Sequence, residues 1–244
     1  MHVEYHNWFS SALGHDMSFK VYGHYGQPVL AFPAQEGRYY DFENFGIVEA
    51  CAGLIEAGRV KIVAVDGIDW QSWTNQGAHP ADRARRHEDY DRHIMQEIVP
   101  WVQNNTGLKT MWTTGCSMGA FHASNFFFKH PDAFDGVIAL SGLYQPHDFV
   151  GDAGGESAYF NAPLWYLEHM NDNHVLNAYR NSSIVFCTGQ GAFEDAMIRD
   201  TKAMQSLLER KGIPARVEFW GEDVNHDWVW WRKQLPYFLN ELLA

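Results

Sequence analysis

The chain has 244 residues, 46% hydrophobic and 20% charged, a composition that suits a globular α/β protein. Its 18 basic and 30 acidic residues leave a net charge of −12, which would repel nucleic acid or an anionic membrane surface, so neither is an expected partner. No apolar run approaches ~20 residues, no basic leader opens the chain, and Cys51, Cys116 and Cys187 show no CxxC pairing, so a soluble, cytoplasmic protein with free thiols is expected.

Two strand-like runs come first, 3–9 and 17–22, joined through Gly14 as a hairpin. Short apolar or β-branched runs then recur at 28–32, 60–65, 109–114, 136–140, 184–187 and 216–220. Helical patterns near 42–57, 82–103, 117–130, 194–211 and 228–243 alternate with them. Continuous apolar strands alternating with helices predict a mostly parallel central sheet with helices on both faces. Its functional loops should gather at the carboxyl ends of the strands. Residues 144–181 hold no buried-strand pattern and are too long for an ordinary connection, so they read as a short lid-like insertion within one domain spanning 1–244. Arg83, Arg85 and Arg86 are expected on a solvated helix face.

The run at 109–114 leads straight into Gly115-Cys116-Ser117-Met118-Gly119, and a helix pattern follows. This is G-x-S-x-G between a strand and a helix, the context of a nucleophile elbow. A turn that tight needs small residues two before and two after the serine, and it projects the hydroxyl from a strained backbone. Cys116 beside it reads as buried packing.

A serine hydroxyl needs a neighbouring base. Of 13 histidines, His226 stands out, because it follows the last strand in the loop Gly221-Glu222-Asp223-Val224-Asn225 and precedes the terminal helix. His122 follows Ser117 too closely to reach its hydroxyl, and His147, His169 and His174 lie in the insertion. The imidazole in turn needs a carboxylate, expected in the loop after 184–187. There Glu194 and Asp195 compete as the helix opens; Asp195 is the first choice and Glu194 the second, with Glu222, Asp223 and Asp227 remote. The order Ser, acid, His is that of the α/β-hydrolase fold.

These residues resemble the esterase family that includes esterase D (S-formylglutathione hydrolase), enterochelin esterases, feruloyl esterases and mycolyltransferases. Glu97-Ile98-Val99-Pro100 looks like the family's helix motif ahead of the nucleophile strand, and Gly115-Cys116-Ser117-Met118-Gly119 like its elbow. His130-Pro131-Asp132-Ala133-Phe134 with Leu140-Ser141-Gly142 is similar to the segment beyond it, and Asn225-His226-Asp227-Trp228, with Trp231 and Leu235, to its histidine motif. The resemblance implies an α/β-hydrolase fold and a serine esterase acting on a small-molecule ester without cofactor or metal. By family position the acid falls on Asp195, while a longer loop over 188–195 keeps Glu194 in play. Family members often carry glycine after the strand that ends at Phe32; this chain has Pro33-Ala34-Gln35-Glu36-Gly37. The oxyanion donors are then expected to be the backbone N–H groups of Met118 and Gln35.

Aromatic residues make up 15% of the chain. Tyr39, Trp70 and Trp165 are expected to line a substrate pocket, with Tyr40, Trp73 and Tyr166 in the same segments. Two other functions share these residues: acyl transfer to an alcohol through the same triad, and a catalytically silent member that binds a ligand on this scaffold.

Overall fold

The computed structural model describes residues 1–151 and 153–244. Eight strands form one sheet: β1 (Val3–Ser10), β2 (His15–Tyr22), β3 (Gln27–Phe32), β4 (Val60–Val65), β5 (Met111–Cys116), β6 (Phe134–Leu140), β7 (Ser183–Thr188) and β8 (Arg216–Phe219). Their spatial order is β1-β2-β4-β3-β5-β6-β7-β8. The β1–β2 and β2–β4 pairs are antiparallel, and every other pair is parallel. The opening hairpin turns at Gly14, whose φ of +77° is one that glycine adopts without a Cβ penalty.

The helices are α1 (Asp41–Asn44), α2 (Ile47–Ala50), α3 (Ala52–Glu56), α4 (Pro80–His93), α5 (Val99–Thr106), α6 (Met118–Lys129), α7 (His147–Val150), α8 (Gly155–Tyr159), α9 (Pro163–His169), α10 (Asn173–Arg180), α11 (Asp195–Arg210) and α12 (Trp228–Leu242). The single helix expected over 42–57 is three short ones, broken first at the left-handed Gly46. The one expected over 82–103 is interrupted by a π-helical turn, Ile94–Ile98. Pro100 explains the break: its ring excludes a regular bond to the Gln96 carbonyl, and a wider turn absorbs the conflict.

Alternation along the strands feeds two cores. Leu30, Phe32, Val63, Val65, Val137 and Phe186 face one side and pack against α4, α5, α6 and α11. Val29, Ala31, Ile62, Ala64, Ile138 and Val185 face the other, against α1, α2, α3 and α12. The completely buried Phe126 and Phe127 on α6 each contribute about 1.5–3 kcal/mol of burial. This is the α/β-hydrolase architecture.

The segment between β6 and β7 carries helices α7 to α10 and, among the described residues, no strand. Its Val150 and Ala158 join a third cluster with Trp73, Met118 and Phe121. The arginine expectation fails in part. Arg85 is exposed, but Arg83 is buried and donates to the carbonyls of Ala78 at 3.0 Å and Phe149 at 3.2 Å. It ties α4 to α7 instead of facing solvent. Among the described residues no helix is long and apolar enough to cross a membrane.

Candidate active site

Ser117 stands between β5 and α6 with φ +57° and ψ −122°, a conformation a non-glycine residue holds only under constraint. The constraint is visible on both sides. A Cβ on Gly115 would overlap the Gly119 backbone, and one on Gly119 would overlap the carbonyls of Phe32 and Pro33. The motif's glycines therefore let α6 start directly against the end of β3. Cys116 is buried, and burial pushes its thiol well above the ordinary value, so it is an unreactive packing group.

His226 Nε2 lies 2.9 Å from Ser117 Oγ. The two residues are 109 positions apart, and the loops after β7 and β8 carry the imidazole to the hydroxyl. His226 N–H donates to the Ala192 carbonyl at 3.0 Å and Gly191 N–H to that of Val224 at 2.9 Å. The Asn225 side chain accepts from Ala192 N–H at 2.8 Å. Side chains at Gly189 or Gly191 would collide with this seam. Trp231 on α12 meets the His226 ring edge-on, centroids 5.0 Å apart at 90°.

The acid is where geometry departs from the first expectation. Asp195 is exposed at the start of α11, where its charge suits a helix N-terminus. Glu194 is 0% exposed, and its Oε1 lies 3.5 Å from His226 Nδ1. Phe193, left-handed at φ +66°, turns the chain just before it. A buried carboxylate requires donors, and Glu194 has them: the Ser141 hydroxyl at 2.7 Å on Oε1 and the Thr188 hydroxyl at 2.8 Å on Oε2. Trp231 Nε1 donates to Ser141 Oγ at 3.1 Å, which completes the shell. Asp223 and Glu222 are exposed, and Asp227 caps α12 through Val229 N–H at 3.1 Å.

Ser141, Thr188, Asn225 and Trp231 are site residues that residue-type reasoning did not single out as such. Three of them adjoin recognisable features (Leu140-Ser141-Gly142, the end of β7, Asn225-His226), and position at a strand's carboxyl end was the available signal.

The turn 34–37 sits beside the elbow, closed by Gly37 N–H donating to the Ala34 carbonyl at 2.8 Å. Neither Met118 N–H nor Gln35 N–H donates to a protein acceptor among the described residues. Of the aromatics, Trp70 is 41% exposed and stacks near the Arg38 guanidinium at 5.7 Å. Tyr39 packs against Tyr5 and Tyr40, and Trp165 packs on the cluster holding Met118 while its Nε1 donates to Gln145. Trp73 and Tyr166 are buried and belong to the core, contrary to their expected place at the rim. Trp70 and Trp165 thus have polar neighbours in Arg38 and Gln145, whereas Trp73 and Tyr166 are packed into the interior.

The family described as "Putative esterase" matches residues 10–242. No curated protein sequence matches the chain. Among solved structures, a ferulic acid esterase aligns at a TM-score of 0.75 and 17% identity, over 98% of this chain and 97% of its own. The fluorophosphonate-binding serine hydrolase F of Staphylococcus aureus aligns at 0.74 and 16%, over 100% and 98%. An S-formylglutathione hydrolase of Agrobacterium tumefaciens aligns at 0.75 and 13%, over 98% and 92%. At these identities the structures show a shared fold, and the family match spans nearly the whole sequence. The chain belongs to this esterase family and is a carboxylic ester hydrolase.

Proposed function

We propose that the protein hydrolyses a small carboxylic ester through a Ser117–His226–Glu194 triad and an acyl-enzyme intermediate. The observation that carries this reading is the 2.9 Å contact between His226 Nε2 and the hydroxyl of a backbone-strained Ser117. Ser117 Oγ attacks the ester carbonyl carbon as its proton passes to Nε2. The Met118 and Gln35 N–H groups receive the oxyanion. Collapse breaks the acyl–oxygen bond, and the imidazolium returns its proton to the leaving alkoxide. Water then repeats the sequence on the acyl-enzyme, with Nε2 again the base, and frees the acid and Ser117. Glu194 holds Nδ1–H toward itself and stabilises the imidazolium; its 3.5 Å separation shortens as that charge develops.

Tyr39, Trp70 and Trp165 are proposed walls of the substrate site, suited to an ester with an aryl or sugar moiety. The test is p-nitrophenyl acetate turnover by Ser117→Ala: kcat should fall by ~10⁴-fold or more, with a nearly unchanged thermal melt and lost labelling by a fluorophosphonate probe. Wild-type turnover in that variant ends the reading.

A further inference from the structure

The hydroxyl of Ser117 and the amide of Gln35 lie on different segments, and a hole for an oxyanion exists only if those segments keep register. Asp69, 1% exposed in the 3₁₀ turn after β4, makes no hydrogen bond to either residue. Its Oδ1 lies 2.9 Å from Nε2 of His122, which is 2% exposed on α6 five residues beyond Ser117. Its Oδ2 accepts the N–H of Glu36 at 3.1 Å, one residue beyond Gln35. A single buried carboxylate thus spans the nucleophile helix and the turn 34–37.

That turn carries a strain needing such support. Glu36 occupies its third position at φ +56°, a place that ordinarily demands glycine. Its amide is held by Asp69, and its carboxylate accepts the Thr74 hydroxyl at 2.9 Å. An ionised carboxylate only accepts, so His122 Nε2 carries the hydrogen of its bond, and Nδ1 has no partner. Hydrogen bonds to a carboxylate out of water are among the stronger ones in a protein.

Resting on the serine-esterase reading above, we infer that Asp69 and His122 form a positioning dyad that holds the Gln35 turn in register with Ser117. They touch no reacting atom. The dyad lets glutamate hold the left-handed third position of that turn.

The test compares Asp69→Ala, Asp69→Asn and His122→Phe with wild type and Ser117→Ala, reading kcat and KM for p-nitrophenyl acetate, the thermal melt and Ki for 1,1,1-trifluoro-2-butanone. That ketone adds to the serine and places an oxyanion in the hole. Asp69→Ala should lose about 100-fold in kcat, with ketone affinity falling in parallel and KM within about threefold. Asp69→Asn should recover to within about tenfold of wild type, because the amide oxygen still accepts from Glu36 and its NH₂ can donate to Nε2 once the imidazole proton moves to Nδ1. Should Asp69→Ala not fold, His122→Phe decides, with an expected loss of about tenfold in kcat and ketone affinity alike. A folded Asp69→Ala, or failing that His122→Phe, with wild-type kcat or unchanged ketone affinity overturns the dyad. Turnover retained by Ser117→Ala would instead overturn the esterase reading itself.

Discussion

Glu194 and Asp195 are chemically alike and adjacent, yet one side chain is wholly enclosed and the other is in water. Enclosure is the reason for proposing Glu194 as the triad acid: a carboxylate out of water and beside an imidazole is weakly screened, and two hydroxyl donors hold it there. Replacing it with glutamine keeps the shape but removes the charge that the proposed triad uses to fix the His226 tautomer. Glu194→Gln should therefore lower kcat on p-nitrophenyl acetate by ~10⁴-fold. Asp195→Asn should stay within about threefold of wild type, since surface charge at a helix start is worth ~1 kcal/mol or less. If the two variants exchange these outcomes in a steady-state assay, Asp195 is the acid after all.

At the scale of elements, the site is an encounter of three junctions: β3 with its turn, β5 with α6, and the paired loops after β7 and β8. Gly119 is the point of closest approach between the first two, where α6 presses on the Phe32 and Pro33 carbonyls. Gly119→Ala would force helix and turn apart, because backbone oxygens cannot swing aside as a flexible side chain can. The expected result is a loss of about 1–3 kcal/mol in denaturant unfolding, with a kcat loss larger than global destabilisation produces in the folded fraction. A midpoint and kcat equal to wild type would contradict the close contact. The seam between the β7 and β8 loops explains how a histidine on a coil segment is held: backbone bonds through Ala192 and Val224 and the Asn225 side chain replace the missing secondary structure.

Across the whole molecule, the face of the sheet covered by α4 and α6 encloses imidazoles whose charged form folding disfavours. Desolvation holds His87 well below the ordinary value, with His122 and Lys129 acting in the same direction and Asp91 against them. Desolvation likewise lowers His93, opposed by its bond to Glu97. The unfolded chain binds protons at these positions below about pH 6.5 while the folded one resists them. Stability from both is therefore full above that pH and falls on acidification through it. Thermal melts should drop between about pH 7 and 5, and His87→Leu should flatten part of that slope. An unchanged slope would mean that His87 is not among the groups responsible.

The parallel sheet, the turn at Ser117 and the histidine that lies 2.9 Å from its hydroxyl were all legible in the amino-acid sequence, because each rests on local pattern: apolar runs, a glycine-flanked turn, and a histidine after the last strand. The strands at 60–65 and 136–140 coincide with or lie inside β4 and β6 for that reason. Pattern was silent where two neighbours share chemistry and differ only in direction. Which of Glu194 and Asp195 turns inward depends on a left-handed Phe193 and on hydroxyls from β7 and the β6 edge. The burial of Arg83, Trp73 and Tyr166, and the reach of Asp69 between helix and turn, were decided only when distant segments packed. Side-chain orientation, burial and pairing across the chain are tertiary quantities, because what a polar group costs or contributes depends on the partners that surround it.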